Sequence, residues 1–125
     1  MRPLGALLDR VLGPAVPPPE WMPAGVTLRR GRLVTAIGGW MGRMGAPAAA
    51  VTLRRTIVVD RDVALSPRLL AHELEHVRQW SAVPLFPLRY ALESARRGYW
   101  NNRFEVEARA AEDAPPQASA PPREP

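Results

Sequence analysis

Residues 66–80 carry the strongest folding signal of the 125-residue chain. Ser66 is a preferred helix N-cap, and proline at position 67 suits the first helical turn, where its missing N–H has no intrahelical partner. Apolar residues then recur at helical spacing, at Leu70, Leu74 and Val77. This pattern predicts an amphipathic helix whose apolar face packs against the rest of the molecule.

Short strand signals precede this helix, and two further helix signals follow it. Residues of high β-propensity and turn residues predict three strands, over Val26–Arg30, Arg32–Ala36 and Ala50–Asp60. Two later helices are predicted, over Phe86–Arg97 up to Gly98 and over Arg103–Glu112 with Asn102 as its cap. Strands followed by helices indicate an α+β fold with a small N-terminal sheet.

The two ends of the chain differ from this central part. Residues 1–20 predict a short amphipathic helix over Pro3–Leu12 and a stiff proline spacer. The helix could dock on the domain, on a partner or on a membrane surface, and we expect it to dock on the domain. Residues 114–125 are rich in proline and alanine, so we expect a disordered tail after a domain of residues 21–113. The first apolar stretch is too short for a signal peptide, and no run reaches a membrane span, so we expect a cytoplasmic protein.

Composition excludes several kinds of chemistry. The chain has no cysteine, which rules out disulfides, thiolate metal sites and cysteine nucleophiles. All 17 basic residues are arginine, so lysine chemistry is absent as well. The net charge of +5 raises the possibility of nucleic-acid binding. No interleaved aromatic residues or nucleic-acid motif accompany the arginines, so we expect no nucleic-acid partner.

Both histidines of the chain lie inside the predicted helix, in the sequence His72-Glu73-Leu74-Glu75-His76. Residues four apart lie one above the other on a helix, so the two imidazoles can bind one Zn²⁺. Glu73 follows the first ligand and can accept a proton from a water molecule at the metal. The HExxH spacing therefore supplies two metal ligands, His72 and His76, and a general base.

A catalytic zinc site uses three protein ligands and leaves one position open. With no third histidine or any cysteine, the remaining ligand is expected to be a carboxylate. Four of the glutamates that follow the motif are candidates: Glu93, Glu105, Glu107 and Glu112. Glu105 could instead pair with Arg109, and Glu93 with Arg97 or Arg89, on helix surfaces. Tyr90, Tyr99 and Arg103 are candidate donors to the oxyanion of a hydrolytic reaction.

The stretch LLAHELEHVRQW at residues 69–80, preceded by VTLRRTIVV at residues 51–59, resembles minimal gluzincin-type zinc metallopeptidase domains. It is particularly similar to the small bacterial HExxH domains encoded with contractile injection systems, whose usual form is a T-x-G-x-x-I strand and LLAHELxHVxQ. Residues 102–108 are similar to the glutamate helix of gluzincins, where E-x-x-A-D supplies the third ligand. The resemblance implies a zincin-like half-domain, with Glu105 as the third ligand and a peptide or protein substrate.

Two positions depart from the family pattern. Arg54 stands at the glycine of the strand motif, and Arg109 at the aspartate that orients a ligating histidine. We expect Asp60, Asp62 or Glu107 to take over that orienting role if the protein is active. The sequence thus predicts a zinc peptidase with Glu73 as its base. The alternative is an inactive, zinc-stabilised accessory module of a secretion or injection assembly.

Overall fold

The computed structural model describes residues 3–41, 45–46 and 48–114. It contains five helices and four strands among these residues, in an α+β arrangement as expected. The elements in chain order are α1 Pro3–Leu12, β1 Ala15–Val16, β2 Thr27–Gly31, α2 Leu33–Met41, β3 Ala50–Leu53, β4 Thr56–Asp60, α3 Pro67–Ala82, α4 Phe86–Asn101 and α5 Arg103–Ala111. Apart from Ala114, the tail predicted over residues 114–125 lies outside the described residues.

The four strands form one sheet in the order β1-β2-β4-β3. The central strands β2 and β4 run parallel, and the other neighbouring pairs are antiparallel. In β4, Ile57 to Asp60 are all buried, because helices cover both faces of the sheet. α3 packs against the face that presents Ile57 and Val59, and α2 packs against the face that presents Asp60. β3 is the outer strand on one side of the sheet.

The predicted strand over Arg32–Ala36 is wrong, because helix α2 begins at Leu33. Parallel pairing of β2 with β4 requires a crossover, and α2 provides it. The glycines of α2 permit its close approach: a Cβ on Gly38 would lie 2.9 Å from Val51, and one on Gly39 would lie 2.0 Å from the carbonyl oxygen of Ala46. Tertiary packing therefore overrides the strand propensity of the β-branched residues.

The predicted strand over Ala50–Asp60 is two strands, β3 and β4, joined in a hairpin. Arg54 and Arg55 form the turn, and Arg54 has the left-handed φ of 57° that glycine adopts most easily. The guanidinium of Arg55 donates to the carbonyl oxygens of Ala24 and Gly25 and so ties the turn to the chain before β2. The turn contains no glycine, proline, asparagine or aspartate, and residues of high β-propensity flank it on both sides, which concealed it from propensity reasoning.

The predicted helix over Pro3–Leu12 is confirmed as α1. It packs beside α2 on the sheet, and Asp9 forms an ion pair with Arg29 of β2 at 2.9 Å. The spacer predicted after it contains β1, which pairs with β2 and adds a strand to the sheet. Leu4, Leu7 and Val11 remain exposed on α1, so docking of a partner through residues 1–20 remains a prediction.

The helices after the sheet begin as the sequence predicts. The hydroxyl of Ser66 accepts from the backbone N–H of Leu69 at the start of α3, and Asn102 caps α5 through the N–H of Phe104. Helix α4 extends beyond its predicted end at Arg97, although Gly98 interrupts it with a φ of 77°. Among the described residues, no helix has the length and apolar character needed to cross a membrane.

Candidate metal site

Helix α3 places the two histidines and Glu73 together on the side that faces β3 and α5. The rings of His72 and His76 lie 5.1 Å apart between centroids, one turn from each other. One ligand atom from each of His72, Glu73 and His76 lies within 4.8 Å of the other two. Glu73 and His76 are buried, and this group of three could hold a metal ion.

Helix α5 brings a second carboxylate to the same point. Asn102 starts α5, and burial of Phe104 and Ala108 directs the first turn toward α3. The carboxylate of Glu105 then lies 3.0 Å from Nε2 of His72 and 3.2 Å from Nε2 of His76. Burial disfavours the charged form of Glu105, but hydrogen bonds with both imidazoles outweigh burial and lower its pKa.

Each histidine also has a hydrogen-bond acceptor at its other ring nitrogen. Nδ1 of His72 lies 2.7 Å from the Glu112 carboxylate, and Nδ1 of His76 lies 2.8 Å from Oε1 of Gln79. The amide of Gln79 donates to the carbonyl oxygen of Phe104 and to Glu107, which fixes the side-chain oxygen toward His76. These partners place a proton on each Nδ1 and direct each Nε2 toward Glu105.

Glu112 orients His72, a role that was predicted for Asp60, Asp62 or Glu107. Asp60 and Asp62 bind Arg32 at the other face of the sheet, and Glu107 contacts Gln79 and Arg78. Glu112 contacts His72 instead, two helical turns after Glu105 on the same side of α5. The seven-residue spacing of Glu105 and Glu112 could have indicated that both lie on one side of α5. The resembled family instead has its orienting aspartate four residues after the ligand glutamate.

The surrounding carboxylates favour positive charge on both imidazoles. Burial lowers the pKa of His76, but the hydrogen bond with Glu105 and the charge of Glu73 prevail and raise it to about 9. The pKa of His72 is raised as well, since Glu105, Glu73 and Glu112 outweigh its burial. The carboxylates therefore stabilise the protonated form of both imidazoles.

Glu73 has a different environment from Glu105. Its Oε1 accepts a hydrogen bond of 3.0 Å from the Thr52 hydroxyl in β3, and its Oε2 lies 4.0 Å from Nε2 of His72. Burial raises the pKa of Glu73, although the charges of His76 and His72 oppose this rise. A carboxylate with a raised pKa can both accept and return a proton, which is the property of a general base.

The other ligand candidates lie in structural contacts. Glu93 accepts from the backbone N–H of Arg103 and lies 3.6 Å from Arg97, so it holds the start of α5. The guanidinium of Arg109 donates to the carbonyl oxygen of Trp100 and stacks on its ring, 3.8 Å from the centroid. Arg109 therefore binds Trp100, and Glu105 faces the imidazoles.

A cleft of about 810 Å³ opens on this site beside β3. The histidines, Glu73 and Glu105 lie in its wall, and much of the remaining lining is apolar, including Val51, Leu53, Trp80, Phe86, Ala91 and Ala95. Tyr90 and Tyr99 also line it, and the hydroxyl of Tyr90 donates to Glu105 at 2.6 Å. Burial and then the charge of Glu105 raise the pKa of both tyrosines, so both remain proton donors. Arg103 stacks on the ring of Phe104, at 4.6 Å.

No protein family matches the chain, and neither does any curated protein or solved structure with which it was compared. The function must therefore be argued from the residues of the site.

Proposed function

We propose that the protein is a zinc-dependent peptidase of the gluzincin type, with His72, His76 and Glu105 as zinc ligands and Glu73 as the general base. The position of Glu105 is the observation that carries this proposal. Its carboxylate meets Nε2 of both HExxH histidines, whereas Oε1 of Glu73 is held by Thr52. This division of roles favours Glu105, rather than Glu73, as the third ligand.

The donor set suits zinc. Two imidazoles and one carboxylate are the ligands of many catalytic zinc sites, which keep a fourth position open. Two ligands of a tetrahedral ion at ~2.0–2.1 Å lie ~3.3 Å apart. Oε1 of Glu105 lies 3.0 Å from Nε2 of His72 and Oε2 lies 3.2 Å from Nε2 of His76, and each separation is close to that value. Glu112 and Gln79 would orient the imidazoles, as second partners of metal-bound histidines commonly do.

The remaining groups support hydrolysis of an amide. Zinc, when bound, supplies the Lewis acidity that activates a carbonyl group and a water molecule. Glu73 accepts the proton of the attacking water and delivers it to the leaving amine, which its raised pKa favours. Tyr99 lines the cleft and is the candidate donor to the developing oxyanion, because the single hydroxyl proton of Tyr90 is donated to Glu105. The open cleft beside the outer strand β3 has room for an extended peptide.

The test compares the wild-type protein with Glu73→Gln, using Asp60→Asn as a matched control at a buried carboxylate outside the cleft. Each is loaded with zinc, assayed for metal content, and incubated with a library of unstructured peptides, with and without a chelator. We expect chelator-sensitive cleavage by the wild type and by Asp60→Asn. Glu73→Gln should retain zinc and lose nearly all turnover, since an amide cannot accept the proton.

Three results would change the assignment. Stoichiometric zinc without cleavage by the wild type would support the alternative, a metal-stabilised accessory module of a larger assembly. Equal cleavage by the wild type and Glu73→Gln would indicate a contaminating protease. A lack of zinc binding by the wild type would refute both assignments.

A further inference from the structure

Thr52 connects the outer strand of the sheet to Glu73. Its hydroxyl lies 3.0 Å from Oε1 of Glu73 and 3.2 Å from the main-chain oxygen of the same residue. A hydroxyl has one proton to donate, and a charged carboxylate is the stronger of the two acceptors. Both residues are buried, so water competes little for this hydrogen bond.

The backbone around Thr52 is held by its neighbours Val51 and Leu53, which pair with β4, and by Trp80 at the open edge. The N–H of Asp60 donates to the carbonyl oxygen of Ala49, and alternate residues of an antiparallel pair share this orientation. The N–H and carbonyl groups of Thr52 therefore point away from β4, toward the open edge. There the indole N–H of Trp80 donates to the carbonyl oxygen of Thr52 at 3.1 Å. The hydroxyl is thus presented from a fixed backbone.

We propose that Thr52 is a positioning residue for the general base. This inference rests on the proposed function of the site. The hydroxyl engages Oε1 and fixes the rotation of the carboxylate, which leaves Oε2 directed toward the imidazoles and the open cleft. Oε2 is then the oxygen that accepts the proton of the attacking water. Without the hydroxyl, the carboxylate can rotate away from the productive orientation.

The experiment uses the zinc-loaded full chain and three variants. Thr52→Val removes the hydroxyl at nearly constant volume, Thr52→Ser retains it, and Thr35→Val is the matched control. Thr35 is also buried, and its hydroxyl donates to another buried carboxylate, Asp60, at 2.6 Å. The rate constant kcat and KM are measured on a cleaved peptide. Acetohydroxamate binding is measured by calorimetry, because this chelator passes its hydroxyl proton to a nearby carboxylate without turnover.

For Thr52→Val we expect full zinc occupancy, an unchanged KM and a kcat lowered about 10–100-fold, the usual effect of losing a partner that orients a site residue. Hydroxamate affinity should fall in parallel. Thr52→Ser should restore both to within about threefold of the wild type. Thr35→Val should lower the melting temperature and leave both unchanged. If valine at position 52 prevents folding, Thr52→Ala provides the same comparison with serine.

Wild-type kcat and hydroxamate affinity in Thr52→Val would overturn the inference, as would a loss that serine does not restore. An equal effect of Thr35→Val would also overturn it and assign both threonines to stability. If the wild type cleaves no peptide, hydroxamate binding still decides the role of Thr52, while the proposed peptidase activity alone fails.

Discussion

Two buried carboxylates lie on opposite faces of the sheet, and each accepts a hydrogen bond from a buried threonine. Asp60 also forms an ion pair with Arg32 at 2.7 Å, and the hydrogen bond from Arg32 outweighs burial and lowers the pKa of Asp60 to about 2. Glu73 lies beside imidazoles instead, and burial raises its pKa. The same type of group is therefore held as an anion at one face and able to exchange protons at the other.

The difference lies in the charged partner. A guanidinium remains protonated at every ordinary pH, so Asp60 has a permanent counter-charge and serves the structure. A metal ion that bound the imidazoles beside Glu73 would displace their protons into the solvent, which would change the charge of the whole cluster. If variants near Asp60 changed zinc binding, or variants near Glu73 changed only stability, this distinction would be lost. Variants that affect stability at one face and zinc binding at the other would support it.

The largest expected effect follows removal of the proposed third ligand. Glu105→Ala should weaken zinc binding more than about 100-fold, beyond the 10–100-fold typical of an outer partner, because a metal ligand itself is lost. Competition with a chelating dye measures the affinity. Glu93→Ala and Glu107→Ala are the controls, because neither carboxylate contacts an imidazole in the structure. Glu93→Ala should change the affinity by less than about threefold, and Glu107→Ala, which removes one acceptor of the Gln79 amide, by less than about 10-fold. A larger loss in either control than in Glu105→Ala would assign the ligand elsewhere.

The next effect concerns the carboxylate behind His72. Glu112→Ala should lower zinc affinity about 10-fold, at the lower end of the range for such partners, since Glu112 is partly exposed. Asp113→Ala, at the exposed neighbouring position, should leave the affinity unchanged. Equal affinities of the wild type and Glu112→Ala would show that the Glu112 contact contributes nothing to metal binding, and Gln79 would remain as the only orienting partner described.

A third prediction tests the structural carboxylate by its pH dependence. The pKa of Asp60 is about 2 in the folded protein and ~3.9 in an unfolded chain, so its charge stabilises the fold above that higher value. Asp60→Asn should therefore lower the free energy of unfolding by about 1–2 kcal/mol at pH 7, allowing for the partial exposure of Arg32. The difference from the wild type should shrink as the pH falls from about 4 to 2.

Urea unfolding at a series of pH values, with both proteins free of metal, measures this difference. Zinc affinity and kcat should not change in Asp60→Asn, because Asp60 lies on the face that packs against α2. A constant difference between the two proteins down to pH 2 would mean that the ion pair with Arg32 is not the source of the stability.

Local signals predicted the helical half of the molecule. The cap at Ser66, the cap at Asn102 and the four-residue spacing of the histidines all act within one or two turns, so sequence spacing determines them. The family resemblance favoured Glu105 among the four candidate glutamates for the third ligand. The helix that follows the cap at Asn102 brings its carboxylate to both imidazoles. That zinc occupies the site and that peptides are cleaved remain predictions.

The sheet was harder to predict because its structure depends on distant contacts. Helix α2 forms from β-branched residues because the crossover from β2 to β4 requires it and because Gly38 lets it approach Val51. The strand β1 has only two residues, and its pairing with β2 has no sequence signature. Likewise, Thr52 and Gln79 acquire their roles only when strand register and helix packing bring them to the site.

The smallest predicted effect lies in the turn between β3 and β4, which connects the strand of Thr52 to the strand of Asp60. Arg54 has a φ of 57°, where a side chain costs ~1–2 kcal/mol and glycine costs nothing sterically. Arg54→Gly should therefore raise the free energy of unfolding by about 0.5–1 kcal/mol, after the greater freedom of glycine in the unfolded chain is included. Arg55→Gly is the matched control and should be destabilising, because it removes hydrogen bonds to Ala24 and Gly25. Urea unfolding measures both. A loss of stability in Arg54→Gly would contradict the left-handed turn. A change in zinc affinity in Arg54→Gly would show that the turn also controls the register of β3 against β4, and with it the position of Thr52 beside Glu73.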